Sequence, residues 1–309
     1  MCDTHRNFRK EIFPAYKAHR KNKTSTELLR DKAVRLQKEL MKEVLRQAGF
    51  PVLEAEGYEA DDIMFNVVLH YAVHADQPLT NGMSITLHTS DEDWVGAMGL
   101  APNIYYNSTV NQNRMQHITS YMEFKAQTGE DVEACYISRA MNGDNDGYGG
   151  FAKPFREATG LPPESLFNAP EVKENYLPRY WDSNFWKGIF QAYFSDNPEL
   201  LKVMEIQTNL AFPLFMNDIY SSDITELISS VPNKDTLLEI CNILRIHVLK
   251  TQIGELEPYN DIHERKLIGI KNKYSSEFQD VFDLYKQIEY MPEQIITTDQ
   301  VEIAFGLTR

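Results

Sequence analysis

Apolar residues along the chain recur with two distinct periods. Between Ala60 and His74, Ile63, Met64, Val67, Val68 and Tyr71 fall at the i, i+3, i+4 spacing of a buried helical face, which predicts a helix. A second helix is predicted from about Thr26 to Gln47, stopped by Gly49, with Pro51 forbidding its continuation. SITLHT (Ser84 to Thr89) puts Ile85 and Leu87 on one side and reads as a strand running into an acidic turn. PVLEA, after Gly49, reads as a short strand, and residues 103 to 111 as an edge hairpin. Residues 115 to 160 read as helical around a glycine-rich break. From about Phe167 onward the pattern is helical, with Leu237, Cys241, Leu244 and Val248 as one apolar stripe. Strands alternating with helices predict an α/β fold with a mostly parallel central sheet. A boundary near residue 165 is expected, between an α/β core over residues 1–165 and a mainly helical region over 166–309.

Composition narrows the class. With 42% hydrophobic and 25% charged residues over 309 positions, the chain has the material for a packed core and is neither disordered nor fibrous. No run of about 18 uncharged apolar residues exists, and MCDTHRNFRK lacks an apolar signal region, so a soluble, cytoplasmic monomer with no membrane partner is expected. Cys2, Cys135 and Cys241 are too few and too scattered for a disulfide framework or a CxxC metal knuckle. Oxygen or histidine must therefore hold any metal.

A net charge of −14 argues at first against a nucleic-acid partner. Its distribution reverses that reading: residues 1–50 carry 13 Lys plus Arg against 6 acids, so the acidic excess lies entirely in the remainder. A basic lobe beside an acidic body suits a protein that grips an anion at one place and collects cations at another. The helix over 26–47 is itself well explained as a solvated, charge-laced surface. Residues 6–23 are not, because Phe8, Phe13 and Tyr16 are interleaved there with basic residues around Pro14.

Three acidic clusters sit where a strand or loop feeds a helix: Glu59, Asp61 and Asp62 in GYEADD, Asp91 and Asp93 in TSDEDW, and Asp144 and Asp146 in NGDNDGYGG. Singly, each is explained by helix capping, the helix dipole or turn chemistry. Together they predict a shared crevice at the carboxyl ends of parallel strands, where so many carboxylates repel unless cations neutralise them. Carboxylates select hard cations, Mg²⁺ or alternatively Mn²⁺. Two such ions about 4 Å apart form the clamp for in-line phosphodiester hydrolysis. The basic lobe would hold substrate phosphates, with Tyr16 available to stack on a base.

FRKEIFPAYKAHR (Phe8 to Arg20), GYEADDI (Gly57 to Ile63), TSDEDW (Thr89 to Trp94) and GDNDGYGG (Gly143 to Gly150) resemble, in order and spacing, the 5' nuclease family. That family includes the 5'-3' exonuclease domain of bacterial DNA polymerase I, phage-encoded 5'-3' exonucleases and flap endonucleases. The resemblance covers roughly residues 1–160. It implies a PIN-like α/β core, two divalent ions per site, and removal of nucleotides or flaps from DNA 5' ends, including RNA primers in hybrid with DNA, alongside replication proteins. It further implies Asp3, Glu59, Asp61, Asp62, Asp91, Asp93, Asp144 and Asp146 as metal ligands, with Asp61 and Asp91 central to catalysis. Lys17 and Arg20 are implied on the scissile phosphate, Tyr16 on a terminal base, and Arg9, Lys21 and Lys23 in DNA binding.

Departures from the family pattern also count. The family places another metal-binding strand before the region where this sequence opens, so a longer product, or a second polypeptide supplying that strand, is expected. Asp144 and Asp146 are separated by one residue where the family has two. The helix-hairpin-helix is reduced to GGFAKPFREATG, which reads as a bare turn or, alternatively, as a remnant phosphate contact through Gly149, Gly150 and Lys153. The competing readings are a DNA-end or junction binder with an incomplete metal site and a PIN-type ribonuclease. His70 and His74 lack the HExxH glutamate and carry no zinc reading, and Trp94, Trp181 and Trp186 are assigned to packing.

Overall fold

A computed structural model describes residues 6–18, 23–47, 49–74, 78–89, 91–108, 118–129, 131–144, 146–216, 235 and 295–296. The apolar stripe at Leu237 to Val248, and Asp3, Arg20 and Lys21, lie outside the described residues. The chain forms two compact units, residues 1–18 with 53–220, and residues 19–52 with 221–309.

The first unit opens with α1 (Phe8–Ile12), capped by the Asn7 side chain, which accepts from the Arg9 N–H at 2.8 Å. In the second unit β1 (Lys23–Thr24) pairs antiparallel with the short strand Ile295–Ile296 and leads into α2 (Ser25–Gln47). As the breakers predict, α2 stops before Gly49, which takes a left-handed φ of 80°.

Returning to the first unit, α3 (Ala60–Leu69) continues through a wider-wound turn, His70–His74. Every residue from Asp62 to Leu69 is buried, so the helix is enclosed on all sides rather than along one stripe. The single buried amide among them, Asn66, donates to the carbonyls of Asp62 and Leu214. β2 (Ile85–Thr89) pairs in parallel with β3 (Ile104–Ser108) over five residues, and β3 pairs antiparallel with β4 (Ile118–Ser120). Helices α4 (Tyr121–Thr128), α5 (Cys135–Asn142) and α6 (Ala152–Thr159) follow, and the predicted glycine-rich break lies between the last two. Then come α7 (Pro170–Arg179), α8 (Ser183–Phe194) and α9 (Pro198–Ala211).

The α/β class stands, with a mixed sheet flanked by helices. Two local expectations need correction. Residues 104–108 are the middle strand of the described sheet, because their antiparallel partner lies further on, at 118–120. PVLEA carries a single β-bridge position, at Glu54, rather than a longer strand. Buried residues on both sides of position 165 pack together. One apolar core runs from Met64 and Phe65 of α3 through Phe155 and Leu166 to Trp186, Phe190 and Phe212.

Candidate functional site

Asp61 stands in the first turn of α3, where the helix dipole favours an acid. Asp91 follows the C-terminal end of β2 and caps the tight helix Glu92–Leu100, its side chain accepting from the Asp93 N–H at 3.1 Å. Two elements distant in sequence thus deliver Asp61, Asp91 and Asp93 to one point, where an oxygen from each lies within 4.8 Å of the others. The third acidic pair arrives on the loop after α5. Gly143 at φ 82° turns the chain, the Asp144 N–H donates to the Tyr148 carbonyl at 3.1 Å, and Asp144 and Asp146 line the same cleft as Glu59, Asp61 and Asp93.

Burial and the neighbouring Asp91 and Asp93 push the Asp61 carboxyl up to about 7, against the pull of the Trp94 indole N–H, which donates to Asp61 Oδ1 at 2.6 Å. Burial also raises Asp93, partly offset by the Arg139 guanidinium paired with it. Crowded, electrostatically uncomfortable carboxylates that offer only hard oxygen donors fit Mg²⁺ or Mn²⁺. Among the described residues, Asp61, Asp91 and Asp93 form a group that can hold such an ion.

Asp62 belongs elsewhere. It is 0% exposed; its Oδ1 accepts from Arg9 Nη2 (2.7 Å) and the Leu214 N–H (2.8 Å), and its Oδ2 from Arg9 Nη1 (2.8 Å) and the Glu59 N–H (2.9 Å). With those four bonds its lone pairs are taken, which leaves no capacity for a metal ion. Arg9, expected on DNA, is buried as well. It also donates to Glu59 Oε2 (2.9 Å) and to the carbonyls of Leu210 (3.2 Å) and Phe212 (3.0 Å), tying α1 to the end of α9. Its charge is consumed inside the unit.

Glu59 lines the cleft but is already engaged, by Arg9, by the Tyr16 hydroxyl (3.0 Å) and by Lys17 Nζ (2.5 Å). Burial would raise its carboxyl, yet Arg9 and Lys17 outweigh that and hold it below the ordinary range. Tyr16, expected to stack on a base, is 4% exposed, with the Lys17 ammonium 4.8 Å from its ring centroid. It serves as cleft wall. Lys17 has the described chain's non-glycine positive φ, 55°, a strained conformation of the kind concentrated at functional sites. That conformation sets its N–H on the Asp146 carbonyl (2.7 Å) and its Nζ 3.5 Å from Asp146 Oδ2.

Of the remaining expected contacts, Lys23 pairs with Asp31 in the second unit and Lys153 is exposed near Glu157. Gly149 is exposed, but Gly150 is buried and donates its N–H to Gln207 Oε1 at 3.0 Å, so it serves backbone packing and not phosphate approach. Sequence reasoning missed Arg139 and the bond made by Trp94. A basic residue in the last turn of a helix reads as dipole compensation, and a tryptophan reads as packing, so neither carried its own signal.

Residues 1–134 match the family model described as 5'-3' exonuclease, N-terminal resolvase-like domain. DNA polymerase I of Rhizobium leguminosarum is 30% identical over 140 residues, which are 45% of this chain and 12% of that polymerase. The chain therefore spans a small part of the curated relative it matches.

Proposed function

From the match of residues 1–134 to the 5'-3' exonuclease, N-terminal resolvase-like family, we propose that the chain is a metal-dependent nuclease hydrolysing phosphodiesters at DNA 5' ends or flaps, RNA primers included. We place its work in the cytoplasm, as a monomer serving DNA replication or breakdown. One observation carries the reading: acids from three separate segments converge on a single cleft whose walls also bear Arg139 and whose Glu59 and Asp146 contact Lys17.

Asp61, Asp91 and Asp93 hold the first cation in this reading, and Asp144 and Asp146 help to hold a second. The chemistry such cations supply is Lewis acidity toward phosphoryl oxygens and an acidified water. The protein's own part is positional. Asp61, whose carboxyl is pushed up mainly by burial and further by Asp91 and Asp93, would have to be ionised to serve as a ligand to such a cation. Arg139 and Lys17, freed in part from Asp93, Glu59 and Asp146, turn positive charge toward the bound phosphate as charge builds there. Burial of Arg9 and Asp62 holds the first turn of α3, and so Asp61, in place.

The reading is tested by cleavage of a 5'-flap duplex, labelled at either end, by the full chain in Mg²⁺, Mn²⁺ or EDTA beside an Asp91→Ala/Asp93→Ala variant. Metal-dependent products absent from the variant are expected. Salt-sensitive binding of 5' ends without cleavage would overturn the enzyme and leave a DNA-end binder.

A further inference from the structure

We infer that Trp94 is a positioning residue for the metal centre, its indole N–H fixing the Asp61 carboxylate in the orientation a divalent cation requires. The inference rests on the nuclease reading above and concerns a residue that reading does not use.

Trp94 lies next to Asp93, on the tight helix that Asp91 caps, and it reaches across to α3. Its Nε1–Oδ1 distance of 2.6 Å makes this a short, direct hydrogen bond. The residue beside one acid thus holds the acid that comes from the other segment. A carboxylate has about four lone-pair sites, so the indole takes one and leaves the rest for a cation. Left alone beside Asp91 and Asp93, the Asp61 carboxylate would gain by rotating away; the indole removes that freedom. Outer hydrogen bonds of this kind orient ligating groups and tune metal affinity. Trp186 provides an internal contrast. Its Nε1 donates to the Tyr180 carbonyl at 3.0 Å inside the core, a bond that only satisfies a buried donor.

The test uses the full chain and its Trp94→Phe variant, which removes the N–H and keeps an aromatic ring. Mn²⁺ affinity is measured by titration of free Mn²⁺, and the indole N–H resonances of the wild-type protein are followed as Mg²⁺ is added. Mn²⁺ should bind the variant about 10- to 100-fold more weakly, and the Trp94 resonance, assigned through its contacts with α3, should move while that of Trp186 stays. Equal Mn²⁺ affinity in the two proteins would overturn the inference and leave the metal centre standing. Absence of Mn²⁺ binding by the wild type would overturn the centre itself. Should the variant not fold, a wild-type Trp94 resonance indifferent to Mg²⁺, in protein that binds Mn²⁺, overturns the inference on its own.

Discussion

Arg9 and Asp62, 53 positions apart in the chain, meet in the interior of the first unit through two parallel hydrogen bonds of 2.7 and 2.8 Å, with 5% and 0% of their surfaces exposed. The guanidinium fork matches both carboxylate oxygens, and the two backbone donors on Asp62 complete its shell. An acid that the family resemblance assigns to metal is thereby the counter-ion of an arginine that the same resemblance assigns to DNA.

Breaking that pair leaves a buried, uncompensated charge. Arg9→Ala or Asp62→Ala should each cost about 3–5 kcal/mol, measured as a lower urea midpoint. An Arg9→Met/Asp62→Leu double substitution should cost less than the two singles together. Stabilisation by added Mg²⁺ should persist in Asp62→Asn and vanish in Asp61→Asn.

The metal-free protein should lose stability as pH rises between about 4 and 7. The Asp61 carboxyl, pushed up from 3.8 to about 7, keeps its proton in the folded state over the interval where the unfolded chain has released it. The folded state binds more protons there, so the slope of stability against pH is negative. Asp61→Asn should flatten thermal melts across this window and raise the metal-free melting temperature at pH 8. Below pH 7, Mg²⁺ binding should expel a proton from this group, measurable as buffer-dependent binding heat.

Gly150 and Gly82 both take positive φ, 69° and 95°, but their surroundings differ. A Cβ at Gly150 would overlap the Met141 carbonyl and the Gly143 nitrogen, whereas Gly82 faces open space. Gly82→Ala should cost about 1–2 kcal/mol, the left-handed penalty alone. Gly150→Ala should cost clearly more in chemical denaturation and should displace the loop carrying Asp144 and Asp146.

Lys17→Ala and Arg139→Ala should each lower cleavage about 10²- to 10³-fold. Each should also reduce the salt dependence of DNA binding by about one unit of slope. Mn²⁺ affinity should hold or rise, since each substitution frees a carboxylate. Loss of cleavage with an unchanged salt slope would remove that residue from phosphate contact.

Local patterning specified much of the molecule. The apolar spacing of Ile63, Met64, Val67 and Val68, the stop at Gly49 and Pro51, and the alternation of SITLHT each depend on contacts a few residues apart, and α3, α2 and β2 form where that spacing puts them. The three acidic clusters were visible for the same reason, but their convergence brings together the first turn of α3, the turn after β2 and the loop after α5. The hairpin read at 103–111 failed because strand pairing is non-local: β3 finds its antiparallel partner at Ile118–Ser120.

Sequence by itself determined which residue types carry the chemistry and roughly where they stand. Tertiary structure alone decided which of them are available for it. Asp61 and Asp62 are neighbours of the same type, yet one shares a crowded pocket with Asp91 and Asp93 while the other is saturated by Arg9, Leu214 and Glu59. That division depends on Arg9 also reaching the carbonyls of Leu210 and Phe212, 201 and 203 positions away. A carboxylate's role is set by its burial and by the donors around it, and those donors come from distant segments that only the folded chain brings together.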